Sequence, residues 1–190
     1  LLLLSHSTKP GEDYLGWPRG ILADFIRENK LKSCLFIPYA GVTVSWDDYT
    51  KRVSDVFSLW GCTVQSVHTA ADPVSAVHQA ECIVVGGGNT FRLVQMMRDT
   101  GIMVAIREKA KSGTPYIGWS AGSNVACPSL RTTNDMPIIQ PSSFSTLNLI
   151  PFQINPHYLD ASPEGHGGET REQRINEFQA LNPEMVVVGL

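Results

Sequence analysis

A three-layer α/β fold, with a mostly parallel sheet between helices on both faces, is predicted from two features of this 190-residue chain. Short unbroken apolar runs recur, as at residues 34–40 (CLFIPYA), 82–85 (CIVV), 115–119 (PYIGW) and 185–188 (MVVV), and runs of this length suit strands covered on both faces. Stretches of helical period lie between them, and such alternation places successive strands in parallel with helices packed over them. With 43% hydrophobic residues the chain can bury a core, and its length fits one domain.

Taken in order, residues 1–4 (LLLL) read as a buried first strand, being too short for the apolar core of a signal peptide. Residues 34–40 form the next strand. Val53, Val56, Phe57 and Trp60 fall at i, i+3, i+4 and i+7 of a helix. His68 falls at a strand end and His78 on a helix face, where a structural histidine is the common case. The strand 82–85 runs into Gly86-Gly87-Gly88, and helices are predicted over 89–98 and 102–111, separated by Thr100-Gly101. The strand 115–119 meets a serine between glycines, after which 121–126 can begin a helix. The run 149–154 leads into Asn155-Pro156-His157, a last helix spans 169–181, and the apolar run 185–190 resembles a strand cut at its end, so a fragment of a longer chain is expected.

A formal net charge of -3, with no basic stripe, argues against nucleic acid as a partner and favours a small or peptidic one. No membrane span is apparent. Cys34, Cys62, Cys82 and Cys127 are far apart and mostly inside apolar runs, which suits small core residues in a reducing cytoplasm.

Ligands in such sheets gather at the carboxyl ends of the strands. There, Gly118-Trp119-Ser120-Ala121-Gly122 matches G-x-S-x-G, the pattern of a nucleophile on a sharp strand-to-helix turn, although a glycine-lined bend with an ordinary serine would read the same. Phe91 stands where a dinucleotide fingerprint needs its third glycine, so the triple glycine resembles that fingerprint only superficially and NAD binding is not expected. It can instead direct the N–H of Gly88 toward an oxyanion, with that of Ala121 as second donor, or be a turn capped by Asn89 or Thr90. His157 follows Pro156 at a strand end and is the candidate base; His166, in a glycine-rich loop, is the runner-up. Asp135 lies between Ser120 and His157 in the chain and either orients the imidazole or closes a turn before Met136-Pro137. Arg171 shares the apolar stripe of Ile175 and Phe178, so it either snorkels to the rim or enters a cleft to bind a carboxylate.

Five blocks together are specific. Gly118 to Gly122, Gly86 to Phe91, Arg131-Thr132-Thr133-Asn134-Asp135-Met136-Pro137, Asn155-Pro156-His157 and Pro163-Glu164-Gly165-His166 with the segment from Gly168 to Arg174 resemble the aspartyl dipeptidases of serine peptidase family S51, relatives of cyanophycinase. The resemblance covers essentially the whole chain. It implies a fold similar to class I glutamine amidotransferases, no metal or other cofactor, and hydrolysis of dipeptides with N-terminal aspartate. It implies Ser120 as nucleophile, His157 as base, Gly88 and Ala121 as oxyanion donors, and Arg171 on the substrate's aspartyl carboxylate. The family's third triad member is a glutamate in a Gly-Leu-Pro-Glu-Gly segment, and this chain stops at Gly189-Leu190, so Asp135 is expected as a supporting or substitute carboxylate. A small acidic peptide is the expected partner, with monomer and homodimer both open. The competing readings are a hydrolase of aspartyl-arginine polymer and a catalytically silent binder of acidic peptides.

Overall fold

A computed structural model describes residues 1–160 and 167–190. Five parallel strands form its main sheet: β1 (Leu2–Leu4), β2 (Ser33–Ile37), β3 (Thr63–Ser66), β4 (Ile83–Val85) and β5 (Tyr116–Trp119), in the spatial order β1-β5-β4-β2-β3. The strands end where their chemistry ends them. β2 stops at Ile37 because Pro38 has no N–H for the ladder, and the chain then turns through a Gly41 N–H to Pro38 carbonyl bond of 2.9 Å.

The helices begin on residues suited to starting them. Ser45 accepts the Asp48 N–H ahead of α2 (Trp46–Phe57), and Asp72 with Pro73 starts α3 (Pro73–Gln79). Asn89 accepts the Arg92 N–H at the head of α4 (Thr90–Asp99), and Gly101, at φ 74, turns the chain into α5 (Ile102–Lys111). α1 (Arg19–Glu28) and the four-residue α6 (Ala121–Asn124) complete this part of the chain.

Two hydrophobic cores lie on opposite faces of the sheet, because successive strand residues point in opposite directions. Leu35, Ile37, Ile83, Val85 and Tyr116 face α3, α4 and α5 through Val77, Leu93, Met97, Ile102 and Ile106. Cys34, Phe36, Val84, Ile117 and Trp119 face α1 and α2 through Leu22, Ile26, Val53 and Phe57. All three residues of β4 are fully buried. Each such side chain contributes about 1.5–3 kcal/mol from burial, so the centre of the sheet is a rigid platform. The three-layer α/β expectation therefore holds. Cys34, Cys62, Cys82 and Cys127 are all free and buried. Among the described residues, no helix is long and apolar enough to cross a membrane.

Three expectations need correcting. The first strand is buried only at Leu4, since β1 lies at the sheet edge and Leu2 and Leu3 are half-covered. The run 185–188 is not a doubly covered strand. β7 (Val187–Gly189) pairs in parallel with β6 (Gln153–Asn155) in a separate two-stranded sheet, and Val186 and Val188 are exposed. A continuous apolar run reports strand propensity as well as burial, and here only the first applies. The last helix, α7 (Arg171–Leu181), starts two residues later than predicted, with Thr170 and Gln173 forming a capping box.

Candidate active site

Ser120 follows β5 in a conformation that side chains rarely adopt, φ 53 and ψ -113. The turn is held from both sides: its N–H donates to the Leu4 carbonyl at 3.0 Å, and its carbonyl accepts the N–H groups of Ser123 and Asn124 at 3.0 and 2.9 Å. The flanking glycines are steric necessities. A Cβ on Gly118 would lie 2.5 Å from the Gly122 carbonyl oxygen, and one on Gly122 would lie 2.1 Å from that of Val85. Strain retained so firmly presents the serine side chain above the sheet edge.

That side chain meets an imidazole. Ser120 Oγ lies 2.8 Å from His157 Nε2. His157, also at positive φ (59), is anchored through its backbone: its N–H donates to Ser5 Oγ at 3.0 Å, and the Ser5 hydroxyl donates to the Leu190 carbonyl at 2.6 Å. Asn134 Nδ2 donates to the Pro156 carbonyl at 2.6 Å. The residue is solvent-exposed as a whole, yet its ring is desolvated against the elbow, and this is the main force holding its pKa below the ordinary histidine value. His6, stacked on it at 5.8 Å, and Arg171 push the same way, while Asp135 opposes them. His6 is itself depressed, by burial first and then by Lys9. Both rings therefore favour the neutral form, the one able to accept a proton.

Gly88 stands across the cleft at φ 136, with the Ala40 carbonyl oxygen 2.2 Å from where a Cβ would be. Among the described residues, neither its N–H nor that of Ala121 donates to any acceptor, so two amide donors remain for a ligand oxygen.

Asp135 is bound at the head of α4. Its Oδ2 accepts the Thr90 N–H at 2.7 Å, the Thr90 hydroxyl at 2.6 Å and the Thr133 hydroxyl at 3.0 Å. It thus sits on the first turn of α4, where the helix dipole and a free amide attract a carboxylate, and makes no hydrogen bond to His157. Among the described residues, no side chain bonds His157 Nδ1.

Arg171 is the first residue of α7 and points inward. Its Nη1 donates to Asn134 Oδ1 at 2.5 Å, and it lines a cavity of about 380 Å³ together with Asn134, Asp135, Ile175 and Phe178. Arg131 and Arg174 line the same cavity but have other partners: Arg131 donates to Asn182 Oδ1 at 2.8 Å and stacks on Phe178, while Arg174 lies 3.7 Å from Glu169. His68 bonds Ser66 and Asp47 and is structural, and His78 is exposed on α3. His166 lies outside the described residues.

Sequence reasoning missed Ser5, His6 and Asn134. Ser5 and His6 directly follow β1, so the rule that picked Ser120, polar residues at the carboxyl ends of parallel strands, would have found them.

A doubly covered parallel sheet carrying a strained elbow serine against a neutral imidazole defines an α/β serine hydrolase. Residues 1–190 match Peptidase family S51 throughout. Proteins named Peptidase E from Shigella flexneri serotype 5b and from Escherichia coli O6:K15:H31 are each 50% identical over 190 residues, all of this chain and 82% of theirs. Of solved structures, a Listeria monocytogenes EGD-e protein with a provisional peptidase E designation superposes with a TM-score of 0.66 at 21% identity, covering 99% of this chain and 88% of that one. A peptidase from an acI-B1 actinobacterium gives 0.61 at 18%, covering 82% and 67%. The chain belongs to peptidase family S51 and is a serine-type peptidase.

Proposed function

We propose that this protein is a dipeptidase that splits Asp-X dipeptides through an acyl-enzyme on Ser120, with His157 as general base. The observation that carries the reading is the 2.8 Å contact between Ser120 Oγ and His157 Nε2 on a strained elbow. Oγ attacks the aspartyl carbonyl carbon while its proton passes to Nε2, and the oxyanion is held by the N–H groups of Gly88 and Ala121. Collapse breaks the C–N bond, and the leaving amine takes the proton from Nε2. Water then attacks the ester with Nε2 as base, releasing aspartate and restoring Ser120.

The acidic specificity rests on Arg171. Removing a carboxylate from water without a partner costs several kcal/mol, and a guanidinium offers two parallel donors to it. Asp135, half-buried in the same cavity, has its Oδ1 free of hydrogen bonds to the described residues and supplies the countercharge for the substrate's α-ammonium. The peptidase E name of relatives at 50% identity supports the reading, and four free buried thiols fit a reducing cytoplasm.

The test compares kcat/KM for Asp-Leu, Glu-Leu, a peptide with internal Asp, and aspartyl-arginine polymer, in wild type and Ser120→Ala. Asp-Leu is expected to be cleaved far faster than the others. Ser120→Ala should retain at most the ~10³–10⁴-fold over water left by binding and an oxyanion hole. Preference for the polymer, or near-normal turnover in Ser120→Ala, overturns the reading.

A further inference from the structure

A second cavity, of about 330 Å³, is lined by both the serine and the histidine. Arg52 of α2 lines it as well. Its lining contains no aspartate or glutamate, and the pKa values of its two histidines, His6 and His157, are depressed. Arg52 is therefore its dominant charge.

α2 is held in register with the site. Tyr49, buried on this helix, donates its hydroxyl to the Gly87 carbonyl at 3.0 Å and accepts the Trp119 Nε1–H at 3.2 Å. Arg52, one turn on, rises from the same face, and its guanidinium carbon lies 5.5 Å from the centre of the Tyr14 ring. The carboxylates one turn away on α2 are engaged elsewhere: Asp48 accepts the Ser45 hydroxyl at 2.6 Å, and Asp55 pairs with Lys51 at 2.7 Å. Among the described residues, Arg52 has no ion pair.

We infer that Arg52 binds the free α-carboxylate of the leaving amino acid, so that the enzyme measures its substrate at both ends. This rests on the dipeptidase reading. The leaving amine must take its proton from His157 Nε2, which places the leaving residue in the cavity that His157 shares with Arg52. In a dipeptide the carbon bearing that amine also bears a carboxylate, whereas in a longer peptide the group there is a neutral amide. A lone guanidinium in a cavity without acids attracts the first and gains little from the second. No carboxylate lines this cavity to balance an α-ammonium, which favours the amino end of the substrate near Asp135.

The experiment measures equilibrium binding of Asp-Leu and its C-terminal amide to Ser120→Ala, alone and combined with Arg52→Met, Arg52→Lys or Lys9→Met, together with the acid-to-amide ratio of kcat/KM in the Ser120 enzymes. The acid should bind at least about tenfold tighter than the amide, a difference that Arg52→Met removes and Arg52→Lys partly restores, with the change in KM rather than kcat. Equal binding of acid and amide, no binding of either, or loss of the preference in Lys9→Met instead of Arg52→Met overturns the assignment. Ala-Leu and its amide form a parallel arm. If they show the Arg52-dependent preference while Asp-Leu is not favoured over Ala-Leu, the aspartyl reading fails and the Arg52 assignment stands.

Discussion

Gly88→Ala tests the proposed oxyanion site through a backbone group that cannot be deleted. The added Cβ would start 2.2 Å from the Ala40 carbonyl oxygen, and contacts below 3.0 Å are essentially never seen, so the loop must move by about 0.8 Å or change its φ of 136. The Ala40 oxygen cannot simply retreat, because it accepts the Asn89 N–H at 2.8 Å. Either response swings the Gly88 N–H away from the serine. Loss of one such donor costs about 10²–10³ in kcat, and a misplacement of about 1 Å is enough to cause a loss of ~10². The strain should also lower stability by about 1–3 kcal/mol, so the assay pairs kcat on Asp-Leu with thermal unfolding. Gly101→Ala is the matched control, since its φ is 74, its Cβ would meet only Val74 at 3.4 Å, and it joins two helices away from the site. Gly101→Ala should lose stability and keep kcat, whereas Gly88→Ala should lose both. A folded Gly88→Ala enzyme with kcat within threefold of wild type would refute the assignment of this amide.

Arg171→Met, which retains most of the stem's packing and removes the donor fork, should reduce kcat/KM on Asp-Leu by about 2–5 kcal/mol in transition-state terms and hardly affect a neutral dipeptide; an equal loss on both would point to a structural role. His6→Gln removes a neighbouring titratable ring that disfavours the protonated His157, so the acid limb of kcat/KM, where activity disappears as His157 takes a proton, should move to higher pH. Asp135→Asn removes the one charge that opposes this depression and should move the same limb to lower pH, and pH profiles that shift together would contradict the electrostatic picture.

What could be read in the sequence was what is recorded locally. Gly118 is required by contacts within the turn itself and Gly122 by the Val85 carbonyl of the neighbouring β4, yet both leave a local G-x-S-x-G pattern, so Ser120 stood out without knowledge of the rest of the chain. His157 was legible for a similar reason, since Pro156 and the preceding strand set its place. Asp135 was not. Whether its carboxylate meets an imidazole or the head of α4 depends on the path of the irregular segment 128–152, and its partner Thr90 is 45 residues away. Arg52 is silent in the sequence because nothing in α2 marks one of its charged residues as facing a cavity, and it is the Tyr49 hydrogen bonds to Gly87, just after β4, and to Trp119 of β5 that establish the orientation. The exposed β7 shows the converse, an apolar run whose pattern promised two covering layers.

The position of His157 carries a consequence for the order in which the protein becomes active. Its backbone is tied to Ser5, 152 residues earlier, and Ser5 is tied in turn to Leu190. While the chain is being made, the five strands of the main sheet can pair once residue 119 has emerged, and the elbow can form soon after, but the imidazole has no seat until β6 and β7 have paired and the Leu190 carbonyl has reached Ser5. That contact joins residues 185 positions apart, and contacts of this kind form late. A nascent chain that has paired the main sheet but not β6 and β7 would therefore carry a bare serine with no seated imidazole and no peptidase activity.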